Sequence, residues 1–175
     1  MKTSPVPSLP PADSAIRVYL PGANFHDSWA VDAGDSSLSA LGQFLKAASA
    51  TPGWVNGLMN VRNRAVSLIG LKNLGALHEV RPERDYKPGQ RVGIFTLISI
   101  TENEVLLGDS DKHLDVTLSV HKSGHASGSM ATITVTTVVH IHNLLGRLYM
   151  LPVAPIHKLV VPAVLKAIVR HPHAA

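Results

Sequence analysis

Residues 112–142 read KHLDVTLSVHKSGHASGSMATITVTTVVHIH. Side chains alternate across a strand, so a period of two rich in β-branched residues marks two strands flanking a glycine-rich turn. On the first arm Leu114, Val116, Leu118 and Val120 share one face, and His113, Asp115, Thr117 and Ser119 the other. On the second, Ile133, Val135, Val139 and Ile141 form the apolar face, opposed by Thr132, Thr134, Thr136, Val138, His140 and His142. Apolar faces joined by a hairpin lie on one side of one sheet, and that side needs a cover.

Before the hairpin, RVGIFTLISI (91–100) and NEVLLG (103–108) continue the pattern with no helix between them. That order predicts an antiparallel meander. After it, LPVAPIHKLVVPAVLKAIVR (151–170) supplies the cover: Ile156, Leu159, Val160, Ala163, Val164, Ala167 and Ile168 keep helical spacing. Pro162 is expected to kink that helix or to cost it one hydrogen bond.

Toward the N-terminus, AIRVYL (15–20) is expected as a first strand, closed by Pro21-Gly22. SSLSALGQFLKAAS (36–49) predicts a helix capped by Ser36 or Ser37, with Leu38, Leu41, Leu45 and Ala48 facing inward. A second helix follows Thr51-Pro52, with Val55, Leu58, Met59, Arg62, Val66 and Ile69 along one side and Gly70 at its end. Residues 1–14, with Pro5, Pro7, Pro10 and Pro11, are expected as a disordered tail, leaving residues 15–172 as a single domain. The fold class is α+β: a curved antiparallel sheet wrapped around a long C-terminal helix, with two short helices after the first strand. This is the helix-grip order.

Composition narrows function. The chain has 175 residues, 45% of them hydrophobic and 16% charged, with a mean hydropathy of +0.16, which is enough for a core and too apolar for disorder. Its net charge of +4 is scattered and aromatics make up only 5%, so neither a nucleic-acid footprint nor a base-stacking platform is expected. The absence of cysteine excludes disulfides, thiolate metal sites and thiol nucleophiles, and fits a reducing cytoplasm. The first residues lack the apolar core of a signal peptide, and no uninterrupted apolar run is long enough for a membrane span.

Titratable residues gather in GDSDKHLD (108–115), where Asp109, Asp111, His113 and Asp115 alternate, and in VVHIHN (138–143), with His140 and His142. With paired numbers summing to about 251, Asp111 sits opposite His140, Asp109 opposite His142 and Asp115 opposite Thr136; a shift of two brings His113 opposite His140. Such a donor set suits zinc or general-base work, with Asp111, His113, His140 and His142 as the candidate ligands. Parity places it on the wet face, away from the cover, so a solvated row of Asp–His pairs is the plainer reading and no metal or cofactor is expected. Elsewhere, His26 and Asp27 are expected in a loop after a turn, His157 at the edge of the helical stripe, and Arg62 and Arg64 where an anion or a carboxylate can meet them.

PGANFHDSW (21–29), WVNGLMNVRN (54–63), GDSDKHLDVTLSV (108–120), TTVVHIHNLLGRLYM (136–150) and VAPIHKLVVPAVL (153–165) resemble, in order, the uncharacterised bacterial family of domain of unknown function 2867. Through it the chain is similar to the START/Bet v 1-like helix-grip (SRPBCC) superfamily. The resemblance implies a sheet wrapped on the last helix with a small-molecule cavity between them; it carries no reaction and no catalytic residues. Three readings stay open. The first is a binding protein for a small apolar or amphipathic molecule, lined by Ile94, Leu114, Val116, Leu118, Ile133, Val135, Val139 and Ile141 on the sheet and by Ile156, Leu159, Val160 and Val164 on the helix. The second is a hydrolase or isomerase using the Asp/His cluster. The third is an interaction module, such as a homodimer through the His/Asp face or a strand edge.

Overall fold

The computed structural model describes residues 4–33, 37–68, 82–124 and 131–170. It is α+β: seven antiparallel strands form one curved sheet, with two helices early in the chain and one long helix at its end. The strands are β1 (Val6–Pro7), β2 (Phe25–Ala33), β3 (Arg91–Val92), β4 (Phe95–Ile100), β5 (Glu104–Ser110), β6 (Leu114–Ser123) and β7 (Ala131–Ile141), and they lie in the order β1-β2-β7-β6-β5-β4-β3. The helices are α1 (Ala40–Ser49), α2 (Gly53–Leu68) and α3 (Leu144–Arg170).

The meander and its hairpin are as the alternation demands; the register differs. Pairs between β6 and β7 run Leu114↔Ile141, Asp115↔His140 and Val120↔Val135, so paired numbers sum to 255 rather than 251. Asp115, and neither Asp111 nor His113, therefore stands opposite His140. The expected single strand over 91–100 is two strands. Gly93, with φ +57°, turns the chain between them, and Ile94 is buried in that turn rather than on the sheet's inner face. A bulge between Leu97 and Ser99 leaves Ile98 on the outer face, above Gly108, where a Cβ would meet its Cδ1 at 2.7 Å.

The N-terminal third departs furthest from expectation. AIRVYL is a 3-10 helix over Ala15–Tyr19, because the Ser14 hydroxyl accepts from the Ile16 N–H and so supplies a local cap that competes with pairing. The strand beside β7 is instead Phe25–Ala33, so His26 and Asp27 lie in a strand and not a loop. Within the stretch expected as a tail, Val6 and Pro7 pair with Ala30 and Trp29 as an edge strand, a position that tolerates proline.

This N-terminal segment also covers the outer face. Ile16 packs with Leu106 and Val138, joined by Tyr19, Leu20 and Ala23. Glu104 holds it down: its carboxylate accepts from Ser14 Oγ (2.5 Å), Ala15 N (2.8 Å) and Ser119 Oγ (2.6 Å). Thr117, Ser119, His121, Thr134 and Thr136 are buried beneath it. The middle of the outer face is therefore covered, while Asp115 at one end and Ile98 on β4 still meet water.

The main core lies between the inner face and the helices: Leu97, Val105, Leu107, Leu118, Val120 and Ile133 against Leu41, Phe44, Ala48 and Leu165. Helix α1 is capped by Ser39, whose Oγ accepts from Gly42 N at 3.0 Å, not by Ser36 or Ser37. On α2, Val55 is buried as expected; Ile69 and Gly70 lie outside the described residues.

Helix α3 is rotated from the expected face. The residues against the sheet and α1 are Met150, Val153, Ala154, His157, Val161, Val164 and Leu165. Ile156 and Leu159, expected to line a cavity, are 38% and 67% exposed, while Val160 and Val164 are partly buried. A helix apolar nearly all round has no unique stripe, so contacts with the sheet select its face.

Candidate functional site

The expected Asp/His ladder is dispersed. A three-residue turn separates β5 from β6, and pairs Asp109↔Val116 and Ser110↔Asp115 show that the two aspartates face opposite sides of the sheet. Asp109 meets Arg91 Nη1 at 3.2 Å. Asp111 Oδ1 accepts from the backbone N–H of His113 (2.6 Å) and Leu114 (3.1 Å), which closes the turn. His113 is buried, its Nδ1 against the Asn143 side-chain amide, while Asn143 Oδ1 accepts from Gly146 N (3.1 Å) and its Nδ2 donates to Lys112 O (2.9 Å). These residues lock the start of α3 to the β5–β6 turn.

The remaining pair is exposed. Asp115 Oδ2 lies 3.0 Å from His142 Nε2, and its Oδ1 accepts from the Ser110 hydroxyl. Partial burial pushes the Asp115 carboxyl up, but the Ser110 and His142 hydrogen bonds and the charges of His142 and His140 outweigh it, and the net direction is down. A depressed carboxyl stabilises the fold above its unfolded-state pKa and loses that contribution as pH falls through the lower folded value. With both side chains about two-fifths exposed, the pair contributes under about 1 kcal/mol. His140 Nε2 sits 2.8 Å from Tyr19 O, tying down the N-terminal segment. Among the described residues, no three His, Asp or Glu side chains converge as a metal would require.

A different constellation lies under α3. Asp27 of β2 and Thr137 of β7 are register partners on the inner face, and His157 of α3 comes down onto both. His157 Nδ1 is 3.1 Å from Asp27 Oδ2, and its Nε2 is 3.3 Å from Thr137 Oγ1. With Nδ1–H donating to the carboxylate, the neutral ring's Nε2 accepts from the threonine hydroxyl. Trp29 Nε1 also donates to Asp27 Oδ2, at 3.2 Å, so two donors share one oxygen. Asp27 Oδ1 is buried and has no hydrogen-bond partner among the described residues. The surroundings are apolar: the Phe25 ring stands edge-on to His157 at 5.7 Å, with Val116, Leu114, Val139 and Val153 packed beside Phe25.

Asp, His and a hydroxyl in series is the order of a nucleophile relay. Here Thr137 is 4% exposed and sits mid-strand between β2 and β6, so its backbone is committed to ladders on both sides and supplies no oxyanion donors. The trio is better suited to recognising a polar group than to attacking one. The sequence marks Asp27 and His157 separately but not Thr137, although parity alone puts Thr137 on the otherwise apolar face of β7.

The sheet-to-helix arrangement and this buried anchor define an α+β domain whose antiparallel sheet grips its C-terminal helix over a polar seat. The chain belongs to the family described as Protein of unknown function (DUF2867), whose model matches residues 19–164. That span takes in Asp27, Thr137 and His157. No curated protein and no solved structure matches the chain.

Proposed function

We propose that the protein binds a small amphipathic molecule between the inner face of the sheet and α3, with the molecule's hydrogen-bond-donating end at Asp27. One observation carries this reading: a buried carboxylate oxygen without a partner among the described residues, on an apolar floor beneath α3. An orphaned buried acceptor costs about 1–3 kcal/mol, and a donor brought by a ligand recovers it. The lining is Phe25, Leu114, Val116, Val139, Ile141 and Val153 around Asp27, Thr137 and His157, whereas Ile94 lies in a turn and Ile156 and Leu159 are exposed.

The guest displaces side chains of α3 instead of filling a ready-made void. The pocket that opens at the β7–α3 junction, lined by Ile141, His142, Asn143, Leu144 and Arg147, holds about 140 Å³, against roughly 300 Å³ or more for a ligand pocket. The order of strands and final helix supports placing the family in the START/Bet v 1-like superfamily. The absence of cysteine supports a reducing compartment such as a bacterial cytoplasm.

Native mass spectrometry of the protein as isolated tests the reading. A non-covalent adduct in the mass range of a small organic molecule, lost on mild activation, is the expected result. A spectrum of bare chain or of chain plus metal alone contradicts it.

A further inference from the structure

Helix α3 has a second face. Leu144, Leu148, Leu151, Pro155 and Leu159 recur at steps of three and four, opposite the residues that meet the sheet, and all are exposed. Leu144, Leu151 and Leu159 are 70%, 71% and 67% exposed. Over Leu144–Lys166 the helix reaches a mean hydropathy of 1.6 with only 17% of that window buried, so on length and composition it qualifies as a span, contrary to the reading of the sequence by uninterrupted runs. A contiguous apolar surface of this kind calls for a partner.

Charge identifies the partner. The three helices contain no Asp or Glu: all 12 acidic residues lie outside them, while Lys46, Arg62, Arg64, Arg147, Lys158, Lys166 and Arg170 lie within. Arg147 and Lys158 border the exposed stripe along one side, Lys166 continues it, and all three are exposed. A second copy docked through this face brings like charges together with no helical carboxylate to offset them. An anionic lipid surface takes up the leucines and the cations at once. The helix lies on the bilayer and does not cross it: its other face is bonded to the sheet through His157, and Pro152, Pro155 and Pro162 each remove a backbone donor.

We infer that the outer face of α3 docks this domain on membrane surfaces enriched in anionic phospholipid. The inference is independent of the ligand seat on the helix's opposite side. Co-sedimentation of the full chain with vesicles of phosphatidylcholine, with and without phosphatidylglycerol, tests it. Three cations, each contributing about a factor of five, predict partitioning on the order of a hundredfold stronger to the anionic vesicles.

Leu148→Glu/Leu151→Glu and Arg147→Glu/Lys158→Glu should each abolish most of that partitioning with circular dichroism unchanged, since the replaced side chains are exposed. Equal binding to neutral and anionic vesicles overturns the inference. So does absence of vesicle binding, whether the chain elutes as a monomer or as a dimer that Leu148→Glu/Leu151→Glu dissociates. Loss of binding in the wild type when salt is raised supports the electrostatic part.

Discussion

Gly146→Ala lowers the stability of this protein by about 3 kcal/mol, the upper part of the range for overpacking a close contact. Glycine to alanine inside a helix ordinarily gains up to about 1 kcal/mol, so the sign of the result is diagnostic. At Gly146 a Cβ runs into the His113 carbonyl oxygen and meets Ile141 Cγ2 at 2.9 Å. The obstacle is backbone on one side, and it cannot move alone: His113 O accepts from His142 N, and Asn143 bonds to both Lys112 O and Gly146 N. Thermal unfolding followed by circular dichroism should show the midpoint falling by roughly 6–12 °C for a chain of this size. An unchanged or raised midpoint would mean that the start of α3 is not locked to the β5–β6 turn.

His157→Phe costs a similar amount, about 3 kcal/mol, for another reason. The phenyl ring keeps the edge contact with Phe25, but Asp27 loses its Nδ1 donor and Thr137 its acceptor. Removing one partner of a largely buried ion-dipole pair strands the other away from water. Asp27→Leu/His157→Phe should recover about half of that loss, the remainder reflecting Trp29 Nε1, which then lacks its acceptor, and the Thr137 hydroxyl, which still lacks the imidazole. Chemical denaturation of both single variants and the double variant measures the coupling. Additive losses would show that Asp27 and His157 do not act as a unit.

Two different limits separate what the sequence disclosed from what it hid. The hairpin, the meander and the final helix were legible because Leu114 to Val120 alternate cleanly and Ile133 to Ile141 do so except at Thr137 and Val138. Strand β2 was not, because FHDSWAVDA places Asp27 on the apolar face between Phe25 and Trp29, and that interruption hides the period of two. The residue that obscures the strand is the residue that defines the seat. Ile16, Val18 and Tyr19 gave AIRVYL a strand-like composition, yet the Ser14 cap and the Glu104 carboxylate hold it as a 3-10 turn, and both are tertiary or local polar effects that a hydrophobic pattern does not contain.

The Asp/His ladder misled for a geometric reason. Alternation holds within a strand, but the turn over 111–113 reverses which parity faces which side, so Asp109 and Asp115 part company. In α3 the difficulty is an excess of apolar residues. Stripes through Ile156 and Leu159 and through Val153 and Val161 fit the sequence equally well, and only His157, bonded to β2 and β7, marks the inward one.

Isothermal titration of the full chain with decylamine, decanol and decanoate tests the central claim most directly, because the three share an apolar tail and differ only in the group offered to Asp27. Donor-bearing decylamine and decanol should bind the wild type and the exposed-face variant Leu148→Glu/Leu151→Glu alike. Decanoate should bind at least about tenfold more weakly, since its charge meets a carboxylate. Asp27→Leu/His157→Phe should abolish that preference. Decanoate binding as tightly as decylamine, or the same preference persisting in the double variant, would contradict a seat built on Asp27, His157 and Thr137.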